Sequence, residues 1–196
     1  QTLQELRITG GEPLMSGHTW KLIDWFKTNT GKSSTRLAIN SNLGTDVDID
    51  RLLDATQNMA IDIYTSNEAV GTQAEYIRDG LVWADWMHNV KRLLSSKQFR
   101  SIHVMCTINA VCLDSLDQLL ECIVRHKGYS YLHEHEWNHL QRLVDYLDVV
   151  KTPHSDAFDR PKLLNDFRQF YTQYDQRRSK DFHTAFPQLK EWYNSL

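Results

Sequence analysis

Gly10, Gly11, Glu12 and Pro13 follow directly on a short apolar segment, Leu6-Arg7-Ile8-Thr9, and precede an amphipathic stretch that begins at Ser16. Residues of these types in this order can do specific chemistry. Two adjacent glycines let the backbone take φ > 0 and let a ligand approach the chain closely. Pro13 fixes φ and carries no N–H, which stiffens the exit from the turn. Glu12 offers an acceptor for a cationic group such as an α-ammonium. An ordinary strand–turn–helix corner with a solvated Glu is spelled by the same residues, so the motif has to be weighed against the rest of the chain.

Other polar groups recur where apolar segments end: Asn40-Ser41-Asn42, then Ser66 and Glu68, then Asn109. In folds built from βα units, ligands sit at the carboxyl ends of parallel strands, where the βα loops open. These residues can therefore converge although they are far apart in sequence. Asn and Ser also favour turns for purely local reasons. A separate constellation is His135-Glu136-Trp137-Asn138-His139, an HExxH string preceded by His133. On a helix it would set two imidazoles four residues apart on one face, with Glu136 as general base for a zinc-bound water. A third ligand is hard to find, because no Glu lies between Glu136 and Glu191, and Asp156 and Asp159 are possible substitutes that lie next to a proline-containing loop. A solvated helix face that happens to spell the motif is the competing reading.

The elements that would position these groups alternate. Leu6 and Ile8 open a first strand, and Ser16 caps a helix to Lys27 that uses Leu22, Ile23 and Phe26. Lys32-Ser33-Ser34 is a polar connector. Leu37, Ala38 and Ile39 form a second strand, and Asp46 or Asp48 caps a helix with Ile49, Leu52 and Leu53. Ala60, Ile61, Ile63 and Tyr64 form a third strand, followed by a long connection from Ala69 to Gly80. Val82, Trp86, Val90, Leu93 and Leu94 mark a helix. Ile102, Val104, Cys106 and Ile108 alternate cleanly up to Asn109 and are read as a strand throughout. Leu116, Leu119, Leu120, Ile123 and Val124 mark a fourth helix. Four strand–helix repeats predict an α/β fold with a parallel sheet or barrel and right-handed crossovers.

After Gly128 the pattern changes. Tyr129 to Leu132 is compatible with one brief strand, and Trp137, Leu140, Val144 and Leu147 with a helix. Pro153 to Pro161 reads as a loop, and Leu164, Phe167, Tyr171 and Tyr174 as a further helix. The aromatic tail from Asp181 to Leu196 is expected to pack against the body. The expected division is a core over residues 1–128 and a mostly helical extension over 129–196.

The totals narrow the function classes. The chain has 196 residues with 41% hydrophobic and 24% charged content, ordinary for a globular protein. A net charge of −3 gives no pull toward nucleic acid or anionic membrane. No apolar run is long enough to span a bilayer. Cys106, Cys112 and Cys122 are odd in number and form no CxxC pair, which argues against a disulfide framework or a structural zinc site. Buried, reduced thiols and a cytoplasmic location are the expectation.

The string Ile8-Thr9-Gly10-Gly11-Glu12-Pro13-Leu14 resembles the second-strand motif of the radical S-adenosylmethionine (SAM) enzymes, and twitch-domain members of that family in particular. The likeness extends over roughly residues 3 to 125. Asn40-Ser41-Asn42 resembles the polar end of the family's third strand. The run Ser66-Asn67-Glu68-Ala69-Val70-Gly71-Thr72-Gln73-Ala74-Glu75-Tyr76-Ile77-Arg78 resembles the next strand end and loop. Asp175-Gln176-Arg177 and Phe186-Pro187 are similar to the family's tail, without a known role.

The resemblance implies a partial (β/α) barrel, TIM-barrel-like, with a helical carboxyl-terminal extension. It implies that Gly10, Gly11, Glu12 and Pro13 hold the SAM amino group and that Ser66 and Arg78 reach its carboxylate and ribose. Glu68 would be the family's acidic position, and Asn40, Ser41, Asn42 and Asn109 would line the nucleoside. The implied activity is reductive cleavage of SAM at a 4Fe–4S cluster to a 5′-deoxyadenosyl radical that abstracts a substrate hydrogen. The substrate is unspecified, with a peptide as the guess by family analogy. An electron donor for the cluster would be a partner.

The cluster ligands are the departure. The family uses CxxxCxxC after its first strand, and here the cysteines are separated by five and nine residues, with none in the last 74. They suit neither that loop nor an auxiliary cluster. The cluster cysteines are therefore expected upstream of Gln1, and the chain alone is expected to be inactive. Two other readings stay open: a zinc metallohydrolase through His135 and His139, and a non-catalytic module that binds SAM or a partner.

Overall fold

The computed structural model describes residues 3–29, 35–96, 98–109, 111–126 and 159–196. The chain forms two compact units, Gln1–Glu121 and Cys122–Leu196. The division between them falls ahead of the expected boundary after residue 128.

The first unit is α/β. Its strands are β1 (Glu5–Ile8), β2 (Arg36–Asn40), β3 (Ile61–Ser66) and β4 (Phe99–Met105). All pair in parallel, in the order β1-β2-β3-β4. Each crossover thus advances one strand in one direction. Crossovers of one hand that keep advancing in one direction place their helices on one side of the sheet.

The connecting helices are α1 (Gly17–Thr28), α2 (Ile49–Ala55), α3 (Gly71–Ile77) and α4 (Trp83–Ser95), and α5 (Leu113–His126) follows β4. Two caps form as expected. Ser16 Oγ accepts from His18 N, and Asp48 Oδ1 accepts from Arg51 N, which satisfies amides that a helix start leaves unpaired. The apolar faces of α1, α2 and α4 meet every second residue of the strands. Ile23 and Phe26 of α1, Leu52 of α2, and Trp86, Val90 and Leu93 of α4 share one core with Leu37, Ile39, Ile61, Ile63 and Ile102. The intervening strand residues, among them Arg7, Asp62, Tyr64, Ser101 and His103, belong to the opposite face.

The structure departs from the sequence reading at two places in this unit. The connection Ala69–Gly80 contains α3, a seven-residue helix with no side-chain cap at Val70 and a glycine at its first position. Those features give a helix almost no local signal. The fourth strand stops at Met105, so Cys106 and Ile108 lie beyond it, with Ile108 57% exposed. The reason is the partner strand: β3 ends at Ser66, which pairs with Met105. Alternation alone cannot sustain a strand whose neighbour has run out.

The second unit consists, among its described residues beyond α5, of α6 (Arg160–Arg178), α7 (Phe182–Ala185) and α8 (Lys190–Asn194). Asp159 caps α6 by accepting from Lys162 N, and Pro161 occupies its first turn rather than a loop. The aromatic tail packs on α6. Phe182 stacks on Tyr193 with centroids 4.4 Å apart and meets Phe167 and Tyr171 edge-on or tilted. Tyr193 Oη donates to Arg168 O, and Asp175 Oδ2 accepts from Phe182 N. The expected elements at 129–132 and 137–147, the connector at 32–34, and His135 and His139 lie outside the described residues. No helix among the described residues is long and apolar enough to cross a membrane.

Candidate functional site

The Gly-Gly-Glu-Pro turn leaves the carboxyl end of β1. Gly10 and Gly11 have φ of +97° and +54°, the left-handed side that glycine reaches without penalty. A Cβ at either position would meet no atom within 4 Å. Glycine is thus needed for backbone conformation, and the space beside the turn is open to a ligand. Gly10→Ala is expected to lower the unfolding free energy by about 1–2 kcal/mol. Gly11→Asn should cost less, because Asn tolerates the left-handed region. Urea unfolding of the two variants measures the difference.

Glu12 is held from two sides. Its Oε1 accepts from Leu14 N at 3.1 Å, capping the 3-10 turn Pro13–Met15, and its Oε2 accepts from Asn42 N at 2.6 Å. The second bond ties the end of β1 to the end of β2. A carboxylate has about four acceptor positions, so two bonds fix the group and leave it able to accept from a cation.

The neighbouring polar residues divide by what their side chains already do. Ser41 is buried, and its Oγ accepts from Leu43 N. Asn42 is exposed, with Oδ1 accepting from Gly44 N. Asn109 accepts from Val111 N and donates to Thr107 O, which builds its own turn. Ser66 closes β3, half-buried. Arg78 and Glu68 were expected to have separate ligand roles, yet they bind one another: Nε and Nη2 of Arg78 reach the Glu68 carboxylate at 2.6 and 2.5 Å. The Glu68 side chain is 4% exposed, so this is a forked, charge-assisted pair over a mostly buried carboxylate. It fixes the far end of α3 to the end of β3.

Three buried polar atoms in this region have no partner among the described residues: Asn40 Oδ1, Asn67 Nδ2 and Gln73 Oε1. They lie at the end of β2, just after β3, and in the first turn of α3. Each such group costs about 1–3 kcal/mol when left unmade. A polar group bound at the carboxyl edge of the sheet could pair with them. Asn67 and Gln73 are given no role of their own in the sequence, where they read as part of the strand end and loop from Ser66 to Arg78.

The cysteines do not form a metal set. Among the described residues, no group of three or more His, Cys, Asp or Glu side chains could hold a metal ion. Cys106 is exposed and Cys112 buried. Although the residue is exposed, partial burial of the Cys106 sulfur, reinforced by Cys112 and Glu68 nearby, pushes its thiol up to about 11, so it stays protonated at neutral pH. These residues do not fit a 4Fe–4S cluster.

On the opposite sheet face Asp62 is fully buried. It accepts from Arg100 Nε at 2.8 Å, from a second Arg100 nitrogen, and from Ser101 Oγ. Burial pushes its carboxyl up, but bonds from Arg100 and Ser101 and the charges of Arg100 and His103 outweigh it and hold it below its ordinary 3.8. A depressed folded-state value means that the ionised form is stabilised by folding. That stability is complete above the unfolded value and drains away as pH falls through the folded one. The stability gap between the native chain and Asp62→Asn is therefore expected to be constant above about pH 5 and to shrink below pH 4. Urea midpoints across that range measure it.

Comparison of the chain with protein-family models, with curated proteins and with solved structures returned no match.

Proposed function

We propose that this chain binds SAM at the carboxyl edge of its sheet and belongs to a radical SAM enzyme, its four parallel strands forming part of a partial (β/α) barrel. What supports this most is the Glu12 carboxylate, pinned by two backbone amides beside two left-handed glycines. Glu12 would accept from the SAM α-ammonium. Gly10 and Gly11 would let the methionine portion lie against the backbone. Ser66 and the edge of Arg78 not engaged by Glu68 would face its carboxylate and ribose. Asn40, Asn42 and Asn109 would line the nucleoside, Asn109 with the amide hydrogen that its turn leaves over.

The residues present fit SAM and not the cluster. SAM, together with a 4Fe–4S cluster held by cysteines outside this set, supplies hydrogen-atom abstraction by a 5′-deoxyadenosyl radical. This chain's own part is to bind and orient SAM and to keep water from the carboxyl edge. The substrate, a peptide by analogy only, is a further part of the proposal.

Calorimetric titration of the chain with SAM tests the reading. Saturable one-site binding is expected. A flat titration of chain shown by circular dichroism to be folded would overturn it. Binding of SAM with no 5′-deoxyadenosine released on dithionite reduction, in a longer protein in which cysteines outside this chain hold a bound cluster, would leave a binding module.

A further inference from the structure

The sheet face opposite the helices carries charge where a covered sheet would carry apolar residues. Register places Arg7, Ala38, Asp62 and Ser101 in one row across the four strands, and Asn40, Tyr64 and His103 in the next. Ala38 is small, so Arg7 can reach across β2. Its guanidinium lies over the Tyr64 ring, 3.8 Å from the centroid. From the β4 side His103 stacks on the same ring at 4.5 Å and 17°. Arg7 and His103 are both exposed.

The charges on this face do not cancel. Glu5 is shared between Arg7 at 3.2 Å and Arg36 at 3.7 Å. Asp62 is taken by Arg100. Among the described residues, three guanidiniums on this face, those of Arg7, Arg36 and Arg100, meet two carboxylates, which leaves one positive charge over.

The imidazole is oriented as well. An ionised Asp62 can only accept, so the Ser101 hydroxyl proton goes to it. Ser101 Oγ, 2.8 Å from His103 Nε2, then accepts from that nitrogen. The neutral ring therefore carries its proton on Nε2. Nδ1 is a bare acceptor without a partner among the described residues.

We infer that this face binds a small monocarboxylate that also carries an N–H group, as an N-acylated amino acid does. The carboxylate lies against the Arg7 guanidinium, whose planar fork suits it, and the N–H donates to His103 Nδ1. One surplus positive charge matches one carboxylate and does not match a dianion such as phosphate. Tyr64 holds the two groups apart by sitting between them. The inference is independent of Glu12 and of SAM.

The test is a titration of the full isotopically labelled chain with N-acetylglycine, without SAM. The His103 ring resonances, identified with His103→Gln, report binding. A saturable shift is expected, with N-acetylglycinamide, which lacks the charge, binding at least about tenfold more weakly. Arg7→Gln should raise the Kd at least about tenfold, while Lys91→Gln, which removes an equal charge from the exposed side of α4, changes it less than about twofold. The native chain showing no saturable shift would overturn the inference whatever the variants do. Equal weakening by Arg7→Gln and Lys91→Gln would also overturn it, as general electrostatics. Either result leaves SAM binding at the strand ends untouched.

Discussion

Glu12→Gln is expected to weaken SAM binding by between about tenfold and a hundredfold. A hydrogen bond to a charged group contributes about 1.5–3 kcal/mol, and each 1.4 kcal/mol is a factor of ten in affinity. The amide loses the charge that an α-ammonium needs. It also loses one of its two acceptors: Leu14 N and Asn42 N both donate to Glu12, and an amide NH2 cannot accept from either. One backbone amide is left facing a donor, so the link between the ends of β1 and β2 loosens. Glu12→Asp keeps the charge but is one methylene shorter and cannot hold both amides at once. Its affinity should fall between native and Glu12→Gln. Calorimetric Kd values for the three proteins, beside their melting curves, separate loss of the ligand contact from loss of the turn. A Glu12→Gln Kd equal to the native one would remove Glu12 from the cradle.

The parts of this fold that could be read from the sequence are those with a local cause. Ser16 and Asp48 stand just before their apolar stripes and cap as such residues do. The strands β1 to β3 are short segments built around Leu6 and Ile8, Leu37 to Ile39, and Ile61 and Ile63, each followed by a polar cluster. The Gly-Gly-Glu-Pro turn is legible because φ > 0, a missing N–H and a lone carboxylate are all properties of residue type. What could not be read depends on partners far along the chain. Arg78 reaches Glu68 only because α3 turns the chain back, and α3 has no cap to announce it. The end of β4 is set by where β3 stops. The polar sheet face was present as a period-two pattern: Asp62 and Tyr64 alternate with Ile61 and Ile63, and Ser101 and His103 with Ile102 and Val104. Read strand by strand, such residues belong to a solvated side. Only the register shows that Arg7, Tyr64 and His103 form one stack.

Trp86→Ala should cost the first unit about 3–5 kcal/mol, the range for removing a large buried aromatic side chain. Trp86 is 1% exposed and lies in the core shared by α4 and the strands. Its Nε1 donates to Thr65 Oγ1 at 3.0 Å, and its ring stacks on Trp83 with centroids 5.3 Å apart. The alanine variant thus opens a cavity and leaves a buried hydroxyl unpaired. Trp86→Phe keeps most of the volume and loses the hydrogen bond, so a smaller cost of about 1–3 kcal/mol is expected. For a domain whose total stability is about 5–15 kcal/mol, the first change is a large fraction and the second is tolerable. Urea unfolding followed by far-ultraviolet circular dichroism measures both, and a loss below about 1 kcal/mol in Trp86→Ala would show that α4 does not organise this core. The position matters for function because Thr65 is followed directly by Ser66, Asn67 and Glu68. Trp86 holds the strand whose end presents them. A chain that stays folded as Trp86→Phe should then bind SAM more weakly than native although the substituted side chain is far from solvent. The carboxyl edge of β3 is thus held from the helical side of the sheet as well, by the indole hydrogen bond to Thr65, beside the Arg78–Glu68 pair and the backbone bonds to its neighbours.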